Sequence, residues 1–300
     1  MRALVIGADG FVGPYLISEL LKSGYDVIGT YLKSKPGLNI TLRKLDILNK
    51  IELTKTINEL NPDVIFNLAA ISSVKMSFDM PDMTMQVNYE GTKNILDFAK
   101  KSKIILIGSA EEYGNPLSIP IKEEHLLNPK NPYGKSKKIA EEAGIQTSKE
   151  GGKVIILRSF NHIGAGQTTD FAVSSFAKQI SDIEKGKSDC IKVGNLDAIR
   201  DFTDVRDIAI AYVLASEKCK YGVPYNICSG KGYRISDLLG KLCKMSLSNI
   251  KIEQDPDRMR PSDIPVFVGD NSRFSKLSGW EPKISIDDSL KTILDYWRAR

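Results

Sequence analysis

The chain opens on a run of apolar residues, Ala3 to Ile6, then carries Gly7, Gly10 and Gly13, and then the amphipathic stretch Tyr15 to Leu21. That order predicts a strand, a tight turn and a helix N-terminus. Five more short apolar runs follow, at 26–31, 43–47, 64–68, 104–107 and 154–157, each separated from the next by a helical or turn-rich piece. Such short continuous runs are strands buried on both faces, which predicts a parallel, doubly wound sheet of the α/β class. The clearest long helices between them are expected over 88–101 and 132–148. Beyond about residue 163 the rhythm changes to a Gly-rich loop (Gly164, Gly166), a helix over 171–185 and a strand near Ile191. A closing helix over 287–300 sets Leu290, Ile293, Leu294 and Trp297 in one apolar stripe, which reads as core. The expected division is a larger unit over 1–162 with 199–229, and a smaller α/β unit over 163–198 with 230–300.

The glycine turn brings the first chemistry. A strand that runs through glycines into a helix N-terminus points backbone N–H groups at an anion, the arrangement that holds a pyrophosphate. Gly7 allows the turn, Gly10 lets phosphate oxygens approach the backbone, and Gly13 lets the helix pack closely. The larger unit is therefore expected to be a Rossmann-type dinucleotide-binding domain. An NAD-selective site places a carboxylate at the end of the second strand, and the stretch from Val27 to Lys35 contains none. Thr30, Lys33 and Lys35 are available there for a 2′-phosphate, so NADP(H) is expected to serve at least as well as NAD(H).

Composition narrows the field further. The 300 residues are 42% hydrophobic, ample for a core, and the net charge of +5 arises from 42 basic and 37 acidic side chains spread along the chain. Without a basic stripe interleaved with aromatics, nucleic acid is not an expected partner. No run approaches a membrane span, and the first apolar segment lacks a basic flank and cleavage site, so it is not read as a signal peptide. Cys190, Cys219, Cys228 and Cys243 have neither zinc nor redox spacing and are expected to be free thiols in the cytoplasm. With His125 and His162 the only histidines, a histidine-rich metal site is not expected.

The second cluster is Asn131-Pro132-Tyr133-Gly134-Lys135-Ser136-Lys137. On a helix, Tyr133 and Lys137 share a face, bringing an ammonium beside a phenol. At ~4 Å and an effective dielectric of about 20 the attraction to a phenolate is ~4 kcal/mol, enough to lower the phenol's pKa by roughly three. A Tyr–Lys pair at this spacing is ordinarily a surface pair. Here, however, the run from Ile105 ends in Ser109, a hydroxyl at the carboxyl end of a strand, where open parallel sheets collect ligands.

Taken with Leu68-Ala69-Ala70 and Asn88-Tyr89-Glu90-Gly91-Thr92, these residues resemble the extended short-chain dehydrogenase/reductase family, in its nucleotide-sugar branch. The later segments Arg158 to Gly164, Val193 to Asp197, Arg200 to Asp207 and Arg260-Pro261-Ser262 resemble the GDP-mannose members. The resemblance implies catalysis by Ser109, Tyr133 and Lys137, with Glu111 beside them. It implies cofactor contacts from Gly7, Asp9, Gly10, Phe11, Val12, Gly13, Thr30, Lys33, Asp46, Ile47, Leu68, Ala69, Ala70 and Asn88, together with Tyr133 and Lys137. The GDP-sugar would be met by Ser73, Ser109, Glu111, Asn161, Lys192, Val193, Arg200 and Arg260, the last suited to the diphosphate because a guanidinium meets phosphate oxygens in pairs. His162 lies among these segments without an assigned role. The expected reaction is NAD(P)H-dependent reduction of the C4 ketone of GDP-4-keto-6-deoxy-D-mannose to GDP-D-rhamnose. The alternatives are 4,6-dehydration of GDP-mannose and a non-catalytic NAD(P)-binding sensor. A homodimer through the helices over 88–101 and 132–148 is expected on the resemblance alone.

Overall fold

The computed structural model describes residues 1–258 and 264–300. The chain runs through β1 (Arg2–Ile6), α1 (Gly13–Lys22), β2 (Asp26–Tyr31), β3 (Thr41–Lys44), α2 (Lys50–Leu60), β4 (Val64–Asn67), α3 (Val74–Asp79), α4 (Pro81–Met85), α5 (Gly91–Phe98), β5 (Lys103–Ser109), α6 (Pro132–Lys149) and β6 (Val154–Ser159). It continues through β7 (Asn161–Ile163), α7 (Ala172–Glu184), β8 (Cys190–Val193), β9 (Ile199–Asp204), α8 (Val205–Lys218), β10 (Pro224–Ile227), β11 (Gly232–Arg234), α9 (Ile235–Lys244), β12 (Lys251–Gln254), β13 (Val266–Phe267), α10 (Ser272–Ser278) and α11 (Ile286–Arg298).

Seven strands form one sheet in the order β3-β2-β1-β4-β5-β6-β10, and every neighbouring pair is parallel. Every residue of β4 and β6 is buried, as their uninterrupted apolar runs require. Alternate residues of β1 feed two cores. Ala3 and Val5 pack with Leu16 and Leu20 of α1 and with Ile208 and Tyr212 of α8. Leu4 and Ile6 pack on the opposite face with Leu53 and Ile57 of α2 and Ile95 of α5. Helices on both faces make this the expected Rossmann-type doubly wound α/β fold.

A smaller mixed sheet joins β9 to β7 and β13 in parallel and to β11 antiparallel, and β8 pairs with β12. Its core collects Phe176 and Ile180 of α7, Leu238 and Leu242 of α9, and Leu290, Ile293 and Leu294 of α11. Trp297 packs against this cluster, its indole N–H donating to the Ser174 hydroxyl at 3.1 Å. No helix among the described residues is long and apolar enough to cross a membrane.

Two elements depart from the sequence pattern. The third strand occupies Thr41–Lys44, so Leu45 and Ile47 are buried by packing beside α2 and α5 rather than by strand pairing, and the Asp46 carboxylate turns the chain by accepting the Leu48 N–H. The helix expected from Asn88 instead grows out of α4 through a single π turn, Gln86–Glu90, and ends at Phe98. Such wide turns recur where a helix must re-aim side chains near a site.

Gly13 sets the closest approach in the first unit, since a Cβ there would lie 2.3 Å from the Ala8 carbonyl oxygen. Gly13→Ala is expected to destabilise the chain by about 1–3 kcal/mol or more, because the clash is with backbone. Gly37→Ala, where a Cβ would meet nothing within 4 Å, is expected to change stability by less than about 0.5 kcal/mol. Urea unfolding midpoints of the two variants check the contrast.

Candidate active site

The carboxyl ends of β1, β4 and β5 lie together where the strand order reverses between β1 and β4, the position at which doubly wound sheets receive ligands. At the end of β1, Gly7 has φ 81°, a conformation that side chains disfavour, and a Cβ there would meet the Ala69 nitrogen at 2.9 Å. Leu68, Ala69 and Ala70 follow β4 beside this turn, and the Leu68 N–H donates to the Ile6 carbonyl at 2.9 Å. Gly10 is exposed, and a Cβ on it would meet only the Gly7 carbonyl oxygen, at 3.3 Å. The turn is thus packed by protein on one side and open on the other, directly ahead of the α1 N-terminus, and it fits a dinucleotide pyrophosphate. Val12 packs on the first core, and Phe11 stacks on His162 with ring centroids 5.9 Å apart and planes 8° from parallel.

The Asp9 carboxylate accepts the N–H groups of Leu32 and Lys33 at 3.2 and 3.4 Å, holding the segment after β2 beside the glycine turn. Lys33 and Lys35 are exposed there. Thr30 is not. It lies on an inward face of β2, 1% exposed, and its hydroxyl has no hydrogen-bond partner among the described residues. The expectation that Thr30 meets a 2′-phosphate is therefore corrected: its hydroxyl is enclosed, and the exposed residues of this segment include Lys33 and Lys35. Asn88 is likewise enclosed: its amide accepts the Ile71 N–H at 2.8 Å and donates to the Ile71 carbonyl and the Ser136 hydroxyl. It clasps the chain after β4 to α6.

Strand β5 delivers Ser109, and α6 delivers Tyr133 and Lys137. The helix starts there because Asn131 caps it, accepting the Gly134 N–H at 2.8 Å, with Pro132 in the first turn. The Ser109 hydroxyl is near enough to the Tyr133 phenol to act on its ionisation. The Lys137 ammonium donates to the Ile107 carbonyl at 2.7 Å and lies 6.0 Å from the centre of the Tyr133 ring. This geometry corrects the expected electrostatics. Burial raises the Tyr133 pKa well above its ordinary value, with Ser109 pulling the other way, and burial brings Lys137 down to about 8. In the chain by itself the phenol is kept protonated, because the lysine is bound to a carbonyl rather than to the phenol.

Glu111 stands next to this group, its Oε2 accepting from the Asn131 amide at 2.8 Å. Ala110 beside it is buried. Ser73 caps α3, accepting the Met76 N–H at 3.3 Å. Asn161 is exposed on β7, and Lys192 is exposed on β8. The Val193 side chain is packed in the core of the smaller unit, and its carbonyl accepts the Asp255 N–H at 2.8 Å. Arg200 lies on β9 with its guanidinium donating to the carbonyls of Ile199 and Ile264. Arg260 lies outside the described residues. Sequence reasoning missed the layer beneath: Asn131 as the holder of Glu111, and the buried trio Glu112, Glu141 and Arg158. The available signal was Glu141 standing four residues after Lys137 on the same helix face.

Comparison with known proteins agrees with this geometry. A family model described as GDP-mannose 4,6 dehydratase matches residues 4–293. GDP-6-deoxy-D-mannose reductase of Pseudomonas aeruginosa is 34% identical, over 100% of this chain and 98% of its own. GDP-mannose 4,6-dehydratase of Vibrio cholerae is 26% identical, over 97% of this chain and 92% of its own. The solved structure of RMD from Pseudomonas aeruginosa complexed with NADPH superposes with a TM-score of 0.87 at 32% identity, covering 99% of each chain. Matched from its first strand to its last helix, the chain belongs to the GDP-mannose 4,6-dehydratase family, within the extended short-chain dehydrogenase/reductases.

Proposed function

We propose that the protein is an NAD(P)H-dependent nucleotide-sugar reductase that converts the C4 ketone of GDP-4-keto-6-deoxy-D-mannose into the alcohol of GDP-D-rhamnose. The observation that carries this reading is the grouping of Ser109, Tyr133 and Lys137 at the strand ends that also carry the glycine turn. A non-catalytic sensor has no need for that grouping.

Reducing a ketone adds hydride to carbon and a proton to oxygen. Gly7, Asp9, Gly10, Phe11, Val12 and Gly13, with Lys33, Asp46, Ile47 and Leu68 to Ala70, would hold NADPH, which would supply the hydride. Tyr133 gives its phenolic proton to the C4 oxygen, and burial keeps it in the protonated form that an acid needs. The Ser109 hydroxyl polarises the same carbonyl. Lys137, largely cationic at neutral pH with its pKa near 8, steadies the charge left on the Tyr133 oxygen. Asn161, Lys192, Arg200 and Arg260 are assigned to the GDP-sugar, with Ser73 and Glu111 near its hexose.

Dehydration asks for more. Loss of water from C5 and C6 requires a base and a further acid besides the tyrosine. Glu111 has the chemistry of a base, yet Asn131 already donates to its carboxylate, and Ala110 has no proton to give. The four cysteines are unpaired, which supports a reducing compartment such as the cytoplasm. A homodimer through α5 and α6 is proposed on the family resemblance.

Tyr133→Phe is expected to fold and bind NADPH normally while kcat for the 4-keto sugar falls by about 10²–10⁴. Steady-state kinetics and cofactor titration check this, and near-normal turnover would remove Tyr133 as the proton donor. NADPH is expected to give a kcat/KM at least equal to that of NADH, with modest selectivity because lysines rather than an arginine meet the phosphate. Strict dependence on NADH in parallel assays would contradict that assignment. Incubation of GDP-mannose with enzyme and oxidised cofactor is expected to return the sugar at unchanged mass. Efficient loss of one water in the mass spectrum would promote the dehydratase in place of the reductase.

A further inference from the structure

Behind Ser109 lies a pair of carboxyl groups with no direct part in the reduction. Glu112 is 0% and Glu141 1% exposed. Glu141 meets the Arg158 guanidinium with both oxygens, Nε to Oε2 at 2.9 Å and Nη2 to Oε1 at 2.5 Å, so its charge is matched. The Arg158 Nη1 donates to the Tyr113 hydroxyl and the Glu123 carbonyl. Four of the five Arg158 N–H groups are thereby engaged, none of them with Glu112. Glu112 Oε1 accepts the Ser109 N–H at 2.6 Å, and no donor among the described residues reaches its Oε2. The Glu141 carboxylate acts on it from α6 and opposes its ionisation.

A carboxylate that is fully enclosed, with one oxygen met by no donor, carries an uncompensated charge unless it is protonated. Glu141 keeps its charge because the Arg158 guanidinium meets both of its oxygens, so the proton resides on Glu112. We propose that Glu112 is a positioning residue acting as a neutral carboxylic acid, which accepts the Ser109 N–H and places no negative charge beneath Tyr133. Burial and the neighbouring Glu141 hold its proton far above the usual carboxylate range. The groups facing it are Glu111 on its own turn, Tyr133, Lys137 and Glu141 on α6, and Arg158 on β6. An ionised Glu112 would oppose the charge that grows on Tyr133 as its proton leaves, and would make Lys137 hold its own proton more tightly. The neutral acid does neither, and it fixes the end of β5 so that the Ser109 hydroxyl faces the phenol.

The kinetic part of this inference rests on the reductase reading. The test uses the full chain with Glu112→Gln and Glu112→Leu. Glutamine offers the same acceptor to Ser109 without charge. Glu112→Gln is expected to keep kcat within about threefold and to leave the alkaline limb of the kcat/KM profile in place. Glu112→Leu strands the Ser109 N–H and is expected to lose kcat about tenfold with little change in the KM for NADPH. An alkaline limb moved to lower pH in Glu112→Gln would show that an anion had been removed, and would overturn the proposal. So would equal losses in both variants, or a wild-type rate in Glu112→Leu. Should the leucine variant fail to fold, the infrared difference between wild type and Glu112→Gln at neutral pH decides. It is expected to contain the carbonyl stretch of a protonated carboxylic acid, and absence of that band overturns the proposal. Because that spectrum needs no substrate, a wild type without reductase activity would sink the functional reading alone.

Discussion

The Lys137 ammonium donates to the Ile107 carbonyl at 2.7 Å, tying the middle of α6 to the end of β5. A hydrogen bond from a charged donor in a buried setting contributes about 1.5–3 kcal/mol, and here it also fixes a register. Turning α6 by one residue would rotate it by about 100° and carry Tyr133 away from Ser109. The helix is otherwise laid down by close approach. A Cβ at Gly134 would stand 2.5 Å from the Glu111 carbonyl oxygen, and Ser136 and Ala140 are small residues on the buried face. The Ser109 and Tyr133 hydroxyls are brought together because the backbone of α6 reaches the turn after β5, with the lysine holding it at that depth.

This arrangement buries much polarity, and the charges are settled locally. Glu141 and Arg158 cancel one another, and Asn88 closes on Ile71 and Ser136. Asp201 on β9 accepts the N–H groups of Ser229, Gly230 and Gly269, gathering three loop positions around one carboxylate. Breaking any one of these would leave a buried group unmatched, which costs more than the bond itself contributes. The polar interior therefore specifies geometry near the site more than it adds stability.

Much of this was legible in the sequence. Continuous apolar runs located β2, β4, β5 and β6, the glycines located the turn, and Ser109, Tyr133 and Lys137 proved to be neighbours. The misses share a cause. Leu45 and Ile47 are buried outside the sheet, and a short apolar run carries no sign of whether pairing or packing buries it. The helix near Asn88 was placed late because a π turn has no signature in hydrophobic spacing. The role of Lys137 was read from its distance to Tyr133 along a helix, whereas its actual partner, the Ile107 carbonyl, lies 30 residues away in sequence. Thr30 was read as reaching outward, and only the pleat of β2 decides which way it faces.

Helix α8 begins in the smaller sheet and ends beneath the larger one. At its start the Asp204 carboxylate accepts the Ser289 hydroxyl at 2.6 Å, and Asp207 accepts the N–H groups of Lys283 and Ile284, while Ile208 and Tyr212 already belong to the first core. After α8 the chain returns to the large sheet as β10 before leaving again. The two units are therefore braided rather than strung in series. A chimaera that exchanged the smaller unit between relatives at a single junction would split this braid, so such an exchange needs several junctions.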